Sequence, residues 1–113
     1  MKSYKDINKE QNAFAREYRK ASPGILDGFM AMHKAAMEEG ALTLKVKEMM
    51  ALSIGIAARC DGCIASHAKA ALRAGATREE LIETINVALM MGGGPAVIYG
   101  TQALAAVDEF LAE

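Results

Sequence analysis

The chain has 113 residues, of which 52% are hydrophobic but only 5% aromatic, and a formal net charge of −1 spread along its length. That length holds one core, which must be built from Ala, Leu, Ile, Val and eight Met and so suits close helix packing better than a β-sandwich. The even charge, with no basic block, excludes nucleic acid and anionic membrane surfaces as charge-driven partners.

The first six residues, Met1-Lys2-Ser3-Tyr4-Lys5-Asp6, are charged and lack the apolar run of an export signal, so the expected location is the cytosol. Residues 8–20 read as a polar helix with Phe14 and Tyr18 one turn apart. Ser22-Pro23 then supplies an N-cap and a proline suited to the start of a second helix, expected over about 23–39. Phe29, Met30, His33, Ala36 and Met37 recur along it at helical spacing, a face expected to turn toward the core, with Gly40 as its C-terminal cap. On that apolar face His33 reads as a packing residue.

Thr43 can cap a third helix, with Lys45, Lys47 and Glu48 in its first turns and an uncharged run over 49–58 that should be buried. Asp61-Gly62 is expected to break the chain before a fourth helix over 63–74, ended by Gly75. Thr77-Arg78-Glu79-Glu80 has the form of a capping box and opens a fifth helix reaching about Met91. Gly92-Gly93-Gly94-Pro95 breaks the chain again, and a last helix ends near Leu111. No alternation of period two suggests a strand, so the expected fold is an all-α bundle of about six helices in one domain, 1–113.

Residues 84–107 carry no charge, a length that could cross a bilayer, but a glycine-proline break in mid-membrane would strand backbone groups without partners. The better account is two helices buried on several sides. One short chain cannot cover so much apolar helix, so subunit contacts in a homo-oligomer are expected to cover the rest.

The two cysteines stand in Cys60-Asp61-Gly62-Cys63-Ile64-Ala65-Ser66-His67. In a reducing compartment that spacing points to catalysis or metal binding rather than to a structural staple. One sulfur can be oxidised while its neighbour resolves it as a disulfide. On a helix Cys63 and His67 are i,i+4, so the imidazole can take the thiol proton, and Cys63 is the activated thiol. The helix N-terminus should also lower a cysteine pKa below its free value of about 8.5.

Glu48 is the nearest carboxylate in a buried run. If the third and fourth helices formed one rod, Glu48 and Cys63 would be about 22 Å apart. A hairpin turning between residues 57 and 60 instead sets Glu48 level with residues 66–70, beside His67, giving a proton relay in the order Glu48, His67, Cys63, Cys60. Taken alone, a glutamate near a helix start is more often a solvated partner of the helix dipole. Zinc held by Cys60, Cys63 and His67, with His33 or Asp61 as fourth ligand, is a rival for the same residues, but a second ligand pair at short spacing is missing. A thioredoxin-type site would need a strand before the cysteines, where this chain has an uncharged helix.

Glu48, eleven residues, Cys60-x-x-Cys63-x-x-x-His67 and the later Met91-Gly92-Gly93-Gly94-Pro95 together resemble the alkylhydroperoxidase D branch of the carboxymuconolactone decarboxylase superfamily, over roughly residues 20–110. The resemblance implies an all-helical subunit whose central helices pack into a trimer or hexamer. It implies that Cys63 attacks a hydroperoxide as the peroxidatic thiol and that Cys60, the more exposed, resolves it. His67 and Glu48 would relay the proton, and a thioredoxin-like or lipoyl-bearing protein would restore the dithiol at Cys60. No tightly bound cofactor and no metal are implied. Gly62 stands where the best-known peroxidases of that branch carry a histidine. The superfamily's lactone decarboxylases, which do not depend on a cysteine pair, supply one rival reading. A non-enzymatic redox sensor working through the same disulfide supplies another.

Overall fold

The computed structural model describes residues 2–113 and contains six helices: α1 (Tyr4–Ala21), α2 (Pro23–Met37), α3 (Leu44–Ala57), α4 (Asp61–Arg73), α5 (Arg78–Gly92) and α6 (Gly94–Leu111). No strand occurs among the described residues. The fold is all-α, as composition and periodicity require. Most helix starts are fixed by a side chain that accepts an otherwise orphaned N–H. Ser3 accepts from Asp6, Thr43 from Val46 and Cys60 from Cys63, and Thr77 with Glu80 makes both bonds of the capping box.

The centre of the bundle is α3 against α4 and α5, with α6 closing over α4 and α5, and α1 lying on α4. Leu52 and Ile56 of α3, Ile64 of α4, Leu81 of α5 and Val107 of α6 are fully buried and fill its middle, each contributing roughly 1.5–3 kcal/mol of apolar burial. Around them the facing surfaces are mostly alanine, with Ala65, Ala68 and Ala71 on α4 and Ala96, Ala103 and Ala106 on α6. Short side chains let these helix axes approach closely. The turn from α5 to α6 needs Gly93, whose φ of 72° lies in the left-handed region where a side chain would be strained.

Several boundaries and faces differ from those the sequence suggests. α1 begins at Tyr4 rather than residue 8, because Ser3 caps it and Glu109 of α6 accepts the Tyr4 N–H at 2.7 Å. α2 ends at Met37, so Gly40 lies beyond its C-cap, Glu38. No residue of α2 is buried: its backbone runs against α1 and α3, and Phe29 and Met30 stay half exposed instead of entering the core. The uncharged run 49–58 is buried on one side only, at Leu52, Gly55 and Ile56, while Met50 and Ile54 face outward. The stretch 84–107 divides similarly, with Ile85, Ala88, Ala96 and Ala103 inside and Val87, Met90, Met91 and Ile98 outside. Among the described residues no helix is long and apolar enough to cross a membrane.

Candidate active site

The site is built on the turn from α3 to α4. Three backbone bonds close the end of α3: Ala58 N–H to Ile54 O, Arg59 N–H to Ile56 O and Cys60 N–H to Gly55 O, at 2.8, 3.1 and 3.0 Å. Arg59 adopts a left-handed conformation with φ 59°, which turns the chain and leaves Cys60 as the N-cap of α4. The break therefore falls at residues 58–60, and Asp61-Gly62, expected to interrupt the chain, forms the first turn of α4 instead.

Cys60 and Cys63, both half-buried, are joined as a disulfide with Cα atoms 5.2 Å apart, and the Cys60 Sγ accepts the Cys63 N–H at 3.2 Å. Gly55 makes room for this turn. A Cβ there would lie 3.0 Å from Cys63 Cβ and 3.6 Å from its carbonyl carbon, so the missing side chain lets the start of α4 rest on α3. No spacing rule marks Gly55 in the sequence, since an isolated glycine inside an uncharged helix carries no signal of what it touches.

One turn further along α4, His67 Nδ1 lies 2.7 Å from Glu48 Oε1 of α3. The hairpin register that sets Glu48 level with His67 is thus realised. Glu48 is only 6% exposed, so its reading as a solvated partner of the helix dipole is overturned by the packing of α4 across it. With the carboxylate accepting the Nδ1–H, the imidazole lone pair is left on Nε2, the tautomer a base needs. His33 of α2 lies over this pair, its ring 6.1 Å from that of His67 and inclined by 16°. It packs as expected of its face, but against the imidazole of the site rather than the core.

Asp61, the first of the two residues between the cysteines, is held from the other side. Asp61 Oδ1 lies 3.1 Å from the Tyr4 hydroxyl and 3.2 Å from Lys2 Nζ, while Gln102 Oε1 of α6 lies 2.9 Å and 2.6 Å from the same two groups. Tyr4 is buried, and burial first, then its bond to Asp61, pushes its phenol above the ordinary tyrosine value. Sequence reasoning gave Tyr4, Lys2 and Gln102 no role, because nothing in their spacing brings the two chain ends together. Beside them an open groove of about 270 Å³ runs between α1 and α4, lined by Ile7, Gln11, Phe14, Asp61 and Gly62 among others. Among the described residues no three His, Cys, Asp or Glu side chains converge as a metal site would require. The fourth ligands weighed for zinc are engaged elsewhere, Asp61 with Tyr4 and Lys2 and His33 against His67.

Residues 23–108 match the model of the carboxymuconolactone decarboxylase family, a span running from the start of α2 to the last turn of α6 and holding every site residue from Glu48 to His67. The chain belongs to the carboxymuconolactone decarboxylase family. A family protein from Legionella pneumophila is similar to it in structure, with a TM-score of 0.91 and 39% identity over 95% of this chain and 96% of that one. An uncharacterized protein of Cupriavidus necator is 37% identical over 103 residues, 91% of this chain and 88% of its own. A family protein from Thermotoga maritima, whose description names an antioxidative response as a possible role, shares the fold with a TM-score of 0.83 at 24% identity, over 95% of this chain and 91% of that one.

Proposed function

We propose that this member of the carboxymuconolactone decarboxylase family is a thiol-dependent oxidoreductase that reduces hydroperoxides. The observation that carries the reading is the buried Glu48–His67 pair, 2.7 Å apart, one helical turn from a cysteine pair close enough to bridge. His67 Nε2 takes the Cys63 proton, directly or through a water, and Glu48 stabilises the imidazolium. The Cys63 thiolate attacks the distal oxygen of ROOH. The O–O bond breaks, RO⁻ recovers the proton from His67 and leaves as ROH, and Cys63 becomes a sulfenic acid. Cys60 then gives its thiol proton to the freed His67 and attacks the Cys63 sulfur, the S–O bond breaks, the leaving hydroxide takes that proton and departs as water, and the disulfide forms. A dithiol of the lipoyl or thioredoxin type returns two electrons through Cys60.

Nothing in this cycle calls for a metal or a bound cofactor. Assembly as a homo-oligomer, trimer or hexamer, belongs to the same proposal, the outward apolar residues of α2, α3, α5 and α6 being the surfaces that subunit contacts would cover. The test is steady turnover of an organic hydroperoxide with dihydrolipoamide as reductant. One alcohol should form per dithiol consumed, and Cys63→Ser should abolish it. Lactone decarboxylation that survives cysteine alkylation would overturn the proposal in favour of the lyase reading.

A further inference from the structure

A carboxylate between two cysteines works against the chemistry of the site. Asp61 is bonded in sequence to Cys60 and lies in the first turn of α4, where the helix N-terminus favours a thiolate and a neighbouring negative charge opposes it. We propose that Tyr4 and Lys2 are positioning residues that hold the Asp61 side chain toward α1 and α6 and offset its charge, so that the reduced cysteine pair forms its thiolate at lower pH than it would beside a free carboxylate.

The geometry is specific. Lys2 Nζ reaches both Asp61 oxygens, at 3.2 and 3.1 Å, and also bonds Gln102 Oε1 at 2.6 Å. The Tyr4 hydroxyl lies between Asp61 Oδ1 and Gln102 Oε1 with one proton for the two acceptors, and its raised pKa keeps that proton in place. Lys2 also sits over the rings of Tyr4 and Tyr99, 5.6 and 5.9 Å from their centroids, which orients the ammonium as well as its charge. Tyr4 itself is anchored, 2% exposed, with its backbone N–H on Glu109. The other titratable groups around the first turn of α4 are Arg59 in the preceding turn, Glu10 of α1 across the groove, and the Glu48–His67 pair of α3 and α4 with His33 of α2 over it. From α6 come the uncharged Gln102 and Tyr99.

The inference rests on Cys60 and Cys63 acting as a redox pair, and its test reads the thiols without using peroxide, so a failed peroxidase assay and a failed positioning role are told apart. Fully reduced protein is alkylated with iodoacetamide across pH. The thiolate displaces iodide and forms a thioether, so the rate follows the thiolate fraction. A unit charge about 6 Å from a thiol in a water-like medium shifts its pKa by about half a unit. Lys2→Met, which removes a unit charge, should raise the apparent thiol pKa by about that amount, Tyr4→Phe, which only frees the Asp61 carboxylate, should raise it by less, and Asp61→Asn should lower it. With Asp61→Asn already in place, Tyr4→Phe should shift it no further, and Lys2→Met should shift it less than in the parent, by the direct field of the lost ammonium alone. Unchanged pKa values in Tyr4→Phe and Lys2→Met would overturn the proposal. So would a Tyr4→Phe shift, or a Lys2→Met shift of undiminished size, that persists in the Asp61→Asn background, since it would not act through Asp61. Lys2 is solvent-exposed, so Lys2→Met keeps the test decisive even where Tyr4→Phe unfolds.

Discussion

Replacing Glu48 by Gln separates what the carboxylate does for folding from what its charge does for chemistry. The side chain keeps its length, and the amide oxygen can still accept the His67 Nδ1–H at a distance close to the native 2.7 Å. The stabilisation of a charged imidazolium is lost. A hydrogen bond to a charged group is worth about 1.5–3 kcal/mol net and a neutral one about 0.5–1.5, a difference of about 1–2 kcal/mol. Glu48 is 6% exposed, so solvent screens little of that difference. A step that passes through protonated His67 should therefore slow by about 5- to 30-fold. If the amide turns its NH2 to the ring, the imidazole must put its proton on Nε2, the base is gone, and the loss is larger. The assay is the second-order rate of thiol loss on mixing reduced protein with an organic hydroperoxide in a stopped-flow instrument. Urea unfolding of the same sample should shift by no more than about that 1–2 kcal/mol, leaving the chain folded. A variant as stable as the parent that reacts within twofold of its rate would refute the relay.

Four further outcomes follow from the same structure. His67→Ala leaves a buried carboxylate without the partner it has in the fold and should destabilise the protein by about 1–3 kcal/mol, read by urea unfolding; unchanged stability would mean that Glu48 finds water instead. Gly55→Ala puts a Cβ 3.0 Å from that of Cys63 and should cost about 1–2 kcal/mol while slowing thiol oxidation, whereas parent-like behaviour in both would show that the first turn of α4 is free to shift. Glu80, held by the Thr77 N–H and Lys45, Asp108, held by Arg78, and Glu109, held by Ser3 and the Tyr4 N–H, all have pKa values below the ordinary carboxylate range. A depressed folded pKa gives stability that is present above the unfolded value and lost as pH falls through the folded one, so melting temperature should begin to drop below about pH 4, and a flat profile down to about pH 2.5 would contradict these bonds. Finally, Met90→Glu together with Ile98→Glu places charge on outward apolar positions and should lower the mass seen by sedimentation; a parent that is already monomeric at micromolar concentration would remove the basis for assembly.

The parts of this molecule that were legible in the sequence are those fixed by local chemistry. Helices α3, α5 and α6 follow from Thr43, the Thr77–Glu80 box and the glycine-proline break, each a short-range device that acts wherever the chain goes. The Glu48–His67 pairing was also legible, because a hairpin of two helices of known rise leaves little freedom in which residues stand level. What was not legible depends on which surfaces meet. Cys60 gives no hint in sequence that its sulfur will cap α4, so the sequence alone puts the helix start two residues late. The face of α2 has the right period for a core helix and still stays outside, since period reports that a face is apolar and not what covers it. The Tyr4–Asp61–Gln102 cluster joins residues 57 and 98 positions apart, a separation that no local pattern encodes.

The proposed peroxide-reducing dithiol of Cys60 and Cys63, driven by Glu48 and His67, is open to a direct count of its thiols. The most direct measurement mixes fully reduced protein with one equivalent of an organic hydroperoxide and counts free thiols per chain over seconds, with Cys63→Ser and Cys60→Ser alongside. The parent should lose both thiols together, Cys63→Ser should lose none, and Cys60→Ser should stop with a trappable sulfenic acid at Cys63. A parent that keeps both thiols while folded, or a Cys63→Ser variant that still forms a sulfenic acid at Cys60 at the parent rate, would contradict it.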